Sequence, residues 1–305
     1  MELTDRFRGC LLGLAAGDAV GTTAEFEDRG TFPLLTDMVG GGTFRLNAGQ
    51  WTDDTSMALC LATSLVEKGG FDARDQMDRY LRWHETGYFS STGEAFDIGG
   101  TVLAALRKYR RTGEPFAGND NPLAAGNGCI MRLAPVPMFF FPDIDKAGRF
   151  GSESCRTTHG ATECLDASRL FARIIVRALS GLPKDDVLFA DAGKFVGSSG
   201  IQDIARGEFR KKGEKEIVGS GYVVECLEAA MWCFLRKDSF EAAVLTAANL
   251  GNDADTTAAV CGQVAGAFYG ASGIPSGWLD KLAMRVEITT LADRLLKQAT
   301  RNKTL

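Results

Sequence analysis

The sequence predicts an all-α fold, formed as one compact domain over residues 1–305. Apolar residues recur along most of the chain at the three- and four-residue spacing of amphipathic helices. Glycine is frequent, with 36 residues, and proline is scarce, with 8, which suits helices joined by glycine turns. No segment shows the apolar–polar alternation of a half-buried strand. No proline- or serine-rich linker divides the chain, so we expect a single domain.

The helical spacing is interrupted where residues typically stop and start helices. Gly70 closes one apolar stretch and Asp72 opens the next, as a C-terminal glycine and an N-cap do. Residues 37–45 resemble a short extended piece, but the run Gly40-Gly41-Gly42 favours a loop. In chain order, helices are predicted at residues 3–17, 56–68, 73–83, 99–110, 162–180, 184–195, 222–236, 240–249, 256–269 and 277–299.

Two apolar runs have to be distinguished from membrane or export segments. Residues 10–17 are short and bounded by Asp5 and Asp18, so we do not expect a secretory signal. Residues 256–279 are uncharged and long enough to span a bilayer, but several glycines and a proline interrupt them. We interpret them as a helix buried by close packing, followed by a turn, and expect no membrane insertion.

Charge and cysteine content predict a cytoplasmic protein that does not bind nucleic acid. Acidic residues outnumber basic ones by 39 to 34, whereas nucleic-acid binders usually show a basic surplus. The eight cysteines form no C-x-x-C pair, so we expect buried, reduced thiols. The two histidines are too few for a multi-histidine zinc site. The basic residues 206–215 are interpreted as a solvated loop, with a docking patch as the alternative.

Two acidic segments, about two hundred residues apart, carry the most chemical information. They are residues 50–55 (QWTDDT) and 251–257 (GNDADTT). Each offers two carboxylates and a threonine hydroxyl, and each immediately precedes an apolar helical stretch. Consecutive residues within a helix point about 100° apart, so these side chains converge only at a junction between a loop and a helix.

Helix capping and metal binding both explain these segments. Threonine and aspartate are favoured at N-caps, and acidic residues in the first turn complement the helix dipole. Capping uses one or two such residues, however, and Asp53 repels Asp54 as Asp253 repels Asp255. Two divalent cations would neutralise the four carboxylates, and hard oxygen donors suit Mg²⁺ or Mn²⁺ rather than Zn²⁺. The spacing alone leaves both interpretations open.

The order and spacing of further motifs resemble a known family over nearly the whole chain. The chain resembles the ADP-ribosylglycohydrolases, which include the dinitrogenase-reductase-activating glycohydrolase and arginine-specific ADP-ribosyl hydrolases. The matching motifs are Gly17-Asp18-Ala19-Val20-Gly21 with Glu25-Phe26, Trp51-Thr52-Asp53-Asp54-Thr55-Ser56-Met57, Phe96-Asp97-Ile98-Gly99, Gly126-Asn127-Gly128-Cys129-Ile130-Met131-Arg132, Thr158-His159, Gly221-Tyr222, Asn252-Asp253-Ala254-Asp255-Thr256 and Ala265-Gly266-Ala267.

The resemblance implies an all-α fold with a cleft that holds two divalent cations, Mg²⁺ or Mn²⁺. The implied substrate is an ADP-ribosylated protein side chain, and the bond cleaved joins the terminal ribose to a nitrogen or, in some relatives, an oxygen. Such cations grip the ribose diol and activate a water. Carried over by position, the metal ligands are Thr52, Asp53, Asp54, Asp253, Asp255 and Thr256.

Asp97 is the candidate for the carboxylate that transfers a proton at the scissile bond. The alternative is that Asp97 only caps the next helix. Some relatives carry a second acid three residues later, where this chain has Gly100, so Glu25 is a second catalytic candidate; otherwise Glu25 is an exposed loop acid. Gly99 and Gly100 are expected to contact the substrate. Asp18 is expected to support the site or stabilise a turn.

Four further residues are candidates for substrate binding. Asn127 and Gly128 belong to a glycine turn that suits a diphosphate, because glycine lets backbone N–H groups approach phosphate closely; a plain turn is the alternative. Tyr222 follows a flexible glycine segment and is expected to stack on adenine or ribose, unless it is the first core residue of the next helix. His159 is expected to contact ribose or phosphate, although a lone histidine is often structural.

The function that the resemblance favours is a metal-dependent hydrolase that releases ADP-ribose from arginine side chains. Serine-linked ADP-ribose and O-acetyl-ADP-ribose are alternative substrates. A protein that binds ADP-ribose or blocks a toxin by contact is the alternative outside the enzymes. Since all six expected ligands and Asp97 are present, catalysis is favoured. A toxin or a regulatory protein remains an open partner.

Overall fold

Two helices packed backbone against backbone form the centre of the molecule. The computed structural model describes residues 1–301. They are α1 (Leu3–Gly21) and α12 (Ala254–Tyr269). Glycines recur every fourth residue along the face of α1 that meets α12. A Cβ atom added to Gly13 would lie 2.4 Å from the Gly262 carbonyl oxygen, and one added to Gly17 would lie 2.2 Å from the Ala258 carbonyl oxygen. No larger residue fits this contact, which brings the end of α1 beside the start of α12.

The remaining helices surround this pair, and no β-strand occurs among residues 1–301. The prediction of an all-α fold is therefore confirmed. The other helices are α2 (Asp53–Lys68), α3 (Ala73–Thr86), α4 (Gly100–Thr112), α5 (Pro135–Phe140), α6 (Ile144–Arg156), α7 (Thr162–Leu179), α8 (Lys184–Phe189), α9 (Ser199–Arg206), α10 (Val223–Arg236), α11 (Phe240–Ala248), α13 (Ser276–Lys281) and α14 (Arg285–Arg301).

Several predicted helix boundaries were wrong for identifiable physical reasons. The first helix runs past Asp18 to Gly21, because the glycine contact with α12 continues there. Residues 277–299 are two helices, α13 and α14, separated at Met284, whose φ of 51° ends a right-handed helix. The helix predicted at residues 184–195 stops at Phe189.

Three helices, α5, α6 and α9, were not predicted at all. Prolines at positions 135 and 137 disguise α5, yet they occupy its first turn, where a missing N–H costs nothing. Glycines interrupt the apolar pattern of α6, and one of them, Gly151, is needed where α6 packs closely against the backbone of α7. Helix α9 spans only 8 residues, which is too short for a periodic signal.

The apolar core runs through the whole described chain, from Phe7 in α1 to Ala299 in α14. A smaller apolar cluster fills the space between α2, α3 and α4. The division into domains is not tested by these contacts, and a single domain stays a prediction.

All eight cysteines are buried and free, as expected. Residues 37–45 form a loop with one isolated bridge, between Gly41 and Leu46. None of the helices in residues 1–301 has both the length and the apolar character needed to cross a bilayer.

Candidate active site

A cleft of about 330 Å³ opens at the N-terminal ends of four helices, α2, α4, α10 and α12. Asp53 is the first residue of α2 and Gly100 the first residue of α4, and both line the cleft. Asp255 lines it from the first turn of α12, and Gly221 lines it just before α10. Helix N-termini carry partial positive charge, so their convergence favours anionic groups in this space.

The junction before α2 is capped by a residue from another helix. Thr52 occupies the N-cap position, but its side chain accepts no capping hydrogen bond. Instead Asp18, at the end of α1, accepts hydrogen bonds from the backbone N–H and the hydroxyl of both Thr52 and Thr55, at 2.6–3.0 Å. Asp53 and Asp54 are buried, and the cap provided by Asp18 does not use their side chains. The expectation that Asp18 supports the site agrees with this geometry.

The junction before α12 packs against α1, but its acidic side chain at Asp253 is held from outside the central pair of helices. Asp253 occupies the N-cap position without a side-chain capping bond, and the preceding Asn252 has a left-handed backbone with φ of 57°. The Asp253 N–H donates to the carbonyl of Gly219, and its Oδ2 accepts from Asn127 Nδ2 at 2.9 Å. The capping interpretation therefore does not account for the acidic side chains at either junction.

Two close contacts between oxygen atoms join the junctions into one site. The Thr52 hydroxyl, whose proton goes to Asp18, lies 3.1 Å from Asp255 Oδ2. The Thr256 hydroxyl donates to Asp54 Oδ1 at 3.3 Å. Thr52 and Asp255 are 203 positions apart in the sequence. The two acidic segments thus meet at the base of the cleft. The two segments, which are distant in sequence, therefore share one cluster of hard oxygen atoms.

The buried acidic cluster is electrostatically unbalanced within the described residues. Burial raises the pKa of Asp53, Asp54 and Asp255 well above the usual range, and the neighbouring carboxylates raise it further. Asp54 Oδ2 and Asp255 Oδ1 are buried without any hydrogen-bond partner. Buried oxygens that lack partners are rare and costly in native proteins. A cation bound among these oxygens resolves both problems, so the donor set fits a metal site.

Glu25 and Asp97 extend this cluster towards the open side of the cleft. Carboxylate oxygens of Glu25, Asp97 and Asp255 lie within 4.8 Å of one another, an arrangement that can hold a metal ion. Burial and the adjacent carboxylates raise the pKa of Glu25 to about 10, and burial raises that of Asp97 to about 7. The proximity of the two carboxyl groups raises the pKa of Glu25 and lowers that of Asp97, so a proton shared by the pair is favoured on Glu25.

The structure excludes the simpler roles that the sequence left open for these two acids. Glu25 is buried, so it is not an exposed loop acid. The N-cap of α4 is Gly99, so Asp97 does not cap that helix. Asp97 has a φ of 60°, a conformation that is strained for a residue with a Cβ atom. The backbone thus holds its carboxylate against the acidic cluster at an energetic cost.

The residues expected to bind substrate occupy two neighbouring spaces. Gly99, Gly100, Asn127, Gly128 and His159 all line the cleft. Tyr222 does not line the cleft. It is exposed on an adjoining hollow, and its hydroxyl donates to Glu163 at 2.7 Å. Tyr222 is therefore not a core residue of α10, and the hollow shares Gly126 and Gly221 with the cleft.

Sequence reasoning gave no role to three residues that shape the site. Phe26 lines the cleft with a left-handed backbone, φ of 64°, which no residue pattern predicts. Arg132 and Thr158 are fully buried behind the cleft and hydrogen-bond to each other. Both belong to motifs that carried the resemblance, and the available signal was an arginine as the only charged residue in the apolar run 129–141.

Comparison with known proteins identifies the family. The sequence model of ADP-ribosylglycohydrolase matches residues 1–304. The chain belongs to the ADP-ribosylglycohydrolase family. Among relatives in this family, it is similar to the ADP-ribosylarginine hydrolase Tri1 of Pseudomonas putida (strain GB-1), with 43% identity over 98% of this chain and 80% of the relative.

Two further comparisons support the same family and fold. The chain is 33% identical to the ADP-ribosyl-[dinitrogen reductase] glycohydrolase of Rhodospirillum rubrum, over 97% of each protein. A solved structure entitled "ADP-ribosylglycohydrolase-related protein complex" superposes with a TM-score of 0.87 at 42% identity, over 98% of this chain and 99% of the other. The resemblance inferred from the sequence motifs is confirmed.

Proposed function

We propose that this ADP-ribosylglycohydrolase is a metal-dependent hydrolase that removes ADP-ribose from arginine side chains of modified proteins. The observation that carries the proposal is the convergence of both acidic junctions with Glu25 and Asp97 in one cleft. The arginine linkage is supported by relatives from two bacteria that are named ADP-ribosylarginine hydrolases. A toxin partner, left open by the sequence, has no support in these names and is not part of the proposal.

We propose that Thr52, Asp53 and Asp54 hold divalent cations from one side of the site. Asp253, Asp255 and Thr256 complete the set from the other side. All of these donors are hard oxygens and the site is buried, which suits Mg²⁺ and Mn²⁺. When bound, two such cations neutralise the carboxylates, orient the ribose diol and polarise a water.

Asp97 is proposed to move the proton during cleavage. When the bond between the ribose C1″ atom and the arginine nitrogen breaks, the departing nitrogen gains a proton and the attacking water loses one. The Asp97 carboxylate lines the cleft and lies close to the Glu25 carboxyl group. Glu25 is proposed to hold Asp97 in place through this contact.

The remaining candidates are proposed to position the nucleotide portion. The Asn127 and Gly128 turn lines the cleft together with Gly99 and Gly100, and the glycines would let a diphosphate approach the backbone closely. Tyr222 is proposed to stack on adenine in the adjoining hollow rather than in the cleft itself. The continuity of the two spaces through Gly126 and Gly221 supports this arrangement.

The test is release of free ADP-ribose from a protein modified on arginine. We expect release with Mg²⁺ or Mn²⁺, loss of release with EDTA, and a drop of at least about a hundredfold in Asp97→Asn, the range typical of a lost acid–base group. Glu94→Gln is the matched control, because Glu94 is an exposed acid three residues away on the same loop. It should keep full activity.

Two results would overturn parts of this proposal. Release from a serine-linked substrate but not from the arginine-linked one would replace the linkage and keep the hydrolase. Tight binding of ADP-ribose with no release from either substrate would replace the hydrolase by a binding protein. Metal-independent release in the presence of EDTA would remove the cations from the mechanism.

A further inference from the structure

A buried chain of hydrogen bonds connects Arg132 to the wall of the cleft. Arg132 Nη2 lies 2.5 Å from the Thr158 hydroxyl oxygen, which in turn lies 2.8 Å from Nδ1 of His159. All three side chains are essentially inaccessible to solvent. His159 also lines the cleft, so the chain ends at the space where the ligand is proposed to bind.

The chemistry of the three groups fixes the direction of this chain. A guanidinium has only donors, so the Thr158 oxygen must accept from Arg132. The described residues give the Thr158 hydroxyl no acceptor other than His159 Nδ1, so its single proton points to that nitrogen. The Nδ1 atom is therefore an acceptor, and a neutral His159 carries its proton on Nε2.

Arg132 itself is held in place from several sides. Its guanidinium lies over the Tyr80 ring, 4.7 Å from the centroid, and Nη1 contacts the sulfur of Met57 at 3.7 Å. Met57 belongs to α2, the helix that carries Asp53 and Asp54. A cation–π contact and burial leave the guanidinium little freedom to turn away from Thr158.

Two glycines of the cleft lining lie beside the Nε2 atom of His159 and place no side chain against it. A Cβ atom added to Gly128 would lie 3.3 Å from Nε2 and 3.0 Å from Cε1, and one added to Gly126 would lie 3.4 Å from Nε2. Side chains at either position would stand directly against this nitrogen. Burial lowers the pKa of His159 to about 4, with Cys129 opposing the shift and Arg132 adding to it, so the ring is neutral.

We propose that Arg132 and Thr158 are positioning residues that hold His159 as its Nε2–H tautomer, so that the cleft presents a fixed donor to an acceptor oxygen of ADP-ribose. The identity of the ligand rests on the proposed function, whereas the tautomer does not. A hydroxyl at this place would turn to donate or accept, but the locked imidazole only donates. It therefore selects ligands that carry an acceptor oxygen there.

The tautomer is tested by ¹⁵N–¹H correlation spectra of the imidazole rings in Mg²⁺-loaded protein. The chain has only two histidines, so His84→Gln assigns both rings. We expect His159 protonated on Nε2 alone at pH 7. In Arg132→Met the Thr158 hydroxyl becomes free to accept, and the Nδ1–H tautomer should appear. Protonation on Nδ1 in the wild type, or an unchanged spectrum in a folded Arg132→Met variant, would overturn the proposal.

Substitutions of Thr158 keep the proposal testable if Arg132→Met fails to fold. Thr158→Val has nearly the same shape but no hydroxyl, so the ¹⁵N signal of Nδ1 should move towards its position in a ring without a hydrogen bond. Thr158→Ser keeps the hydroxyl and should leave the signal in place. An unmoved Nδ1 signal in Thr158→Val would show that the hydroxyl does not donate to the ring.

Calorimetric titration of the same proteins with ADP-ribose tests the use of the donor. Thr158→Val should weaken binding about fivefold to tenfold, the usual cost of one misplaced hydrogen bond, and Thr158→Ser by less than about twofold. A tautomer shift with unchanged affinity would overturn the contact with the ligand. Absence of binding in the wild type would overturn the proposed function and the ligand together, whereas the spectra would still decide the tautomer.

Discussion

The two junctions that carry the acidic residues have similar sequences but different supports. Before α2, the carboxylate of Asp18 comes from the central helix α1 and accepts four hydrogen bonds. Before α12, the Asp253 side chain is held by Asn127, which begins a short 3₁₀ turn at the cleft, and its N–H donates to Gly219 in a loop. Both junctions pack against α1, but only the α2 junction is tied to it by a side chain, whereas Asp253 is coupled to segments that are proposed to bind substrate.

The coupling extends to the Glu25 segment. The Phe26 N–H donates to the Asn252 carbonyl, and the Asn252 N–H donates to the Glu27 carbonyl, both at 2.7 Å. Asn252 and Phe26 each have a positive φ, so the backbone at this contact is strained on both sides. If the Glu25 segment moves on ligand binding, these hydrogen bonds would pass the movement to Asn252 and so to its neighbour Asp253. Within the described residues, the Glu25 segment has no such backbone hydrogen bond to the α2 junction.

The largest expected effect comes from removing one carboxylate charge on each side. Asp54→Asn and Asp255→Asn should each weaken Mn²⁺ binding by more than about a hundredfold, since even outer-shell partners are worth 10- to 100-fold. Both should also raise the melting temperature of the metal-free protein, because repulsion among buried carboxylates is reduced. Calorimetry with Mn²⁺ and thermal denaturation in EDTA measure the two effects.

Asp186→Asn provides the control for this pair, because Asp186 is an exposed acid in the first turn of another helix, α8. It should change neither quantity. A loss of Mn²⁺ affinity together with a lower metal-free melting temperature in both site variants would indicate damage to the fold and contradict the interpretation.

The next largest effect separates the two supports. Asp18→Asn should lower the free energy of unfolding by about 3 kcal/mol, because a buried amide has one acceptor oxygen and places an NH₂ group against the N–H donors of the α2 junction. Urea denaturation of the metal-free protein measures this loss. Thr55→Ser, which keeps the hydroxyl, is the control, and an Asp18→Asn protein as stable as the wild type would show that Asp18 does not hold the junction.

Metal removal should make stability depend on pH with a defined sign. Burial raises the pKa of Asp97 from 3.8 to about 7, so the folded metal-free protein binds this proton more tightly than the unfolded chain. The stabilisation is fully present below pH 3.8 and is lost as the pH rises through about 7. Thermal denaturation in EDTA should therefore show a falling melting temperature from pH 5 to pH 8.

Saturating Mg²⁺ should flatten this dependence, and Asp97→Asn should reduce the slope in EDTA. A metal-free melting temperature that rises over the same range would contradict the raised pKa. The other buried carboxylates of the cluster act in the same direction, so the slope in Asp97→Asn should be smaller but not zero.

The smallest effect is expected at the junction before α12. Asn127→Ala removes the hydrogen bond to Asp253 Oδ2, so Mn²⁺ affinity should fall about tenfold. The free energy of unfolding should change by about 1 kcal/mol, clearly less than in Asp18→Asn. Calorimetry and urea denaturation provide both values. If Asn127→Ala destabilises the protein more than Asp18→Asn, the order of the two supports is reversed.

The long helices were predictable because their apolar spacing is a local property. The same is true of the acidic segments, whose position before α2 and α12 follows from where the apolar spacing begins. Short helices such as α5 and α9 escaped prediction because six or eight residues give too few repeats. The break between α13 and α14 depends on the backbone of Met284, which no residue pattern reveals.

The sequence by itself determined the all-α class, the donor atoms of the acidic segments and, through its motifs, the family. Only the tertiary structure decided that Asp18 caps α2, that Thr52 meets Asp255, and that Glu25 is buried beside Asp97. The physical reason is the contact between α1 and α12. Glycines at every fourth position let the two backbones touch, and this contact brings residues from both ends of the chain into one cleft. Charge and donor type are encoded residue by residue, whereas distance and burial arise only when the helices pack.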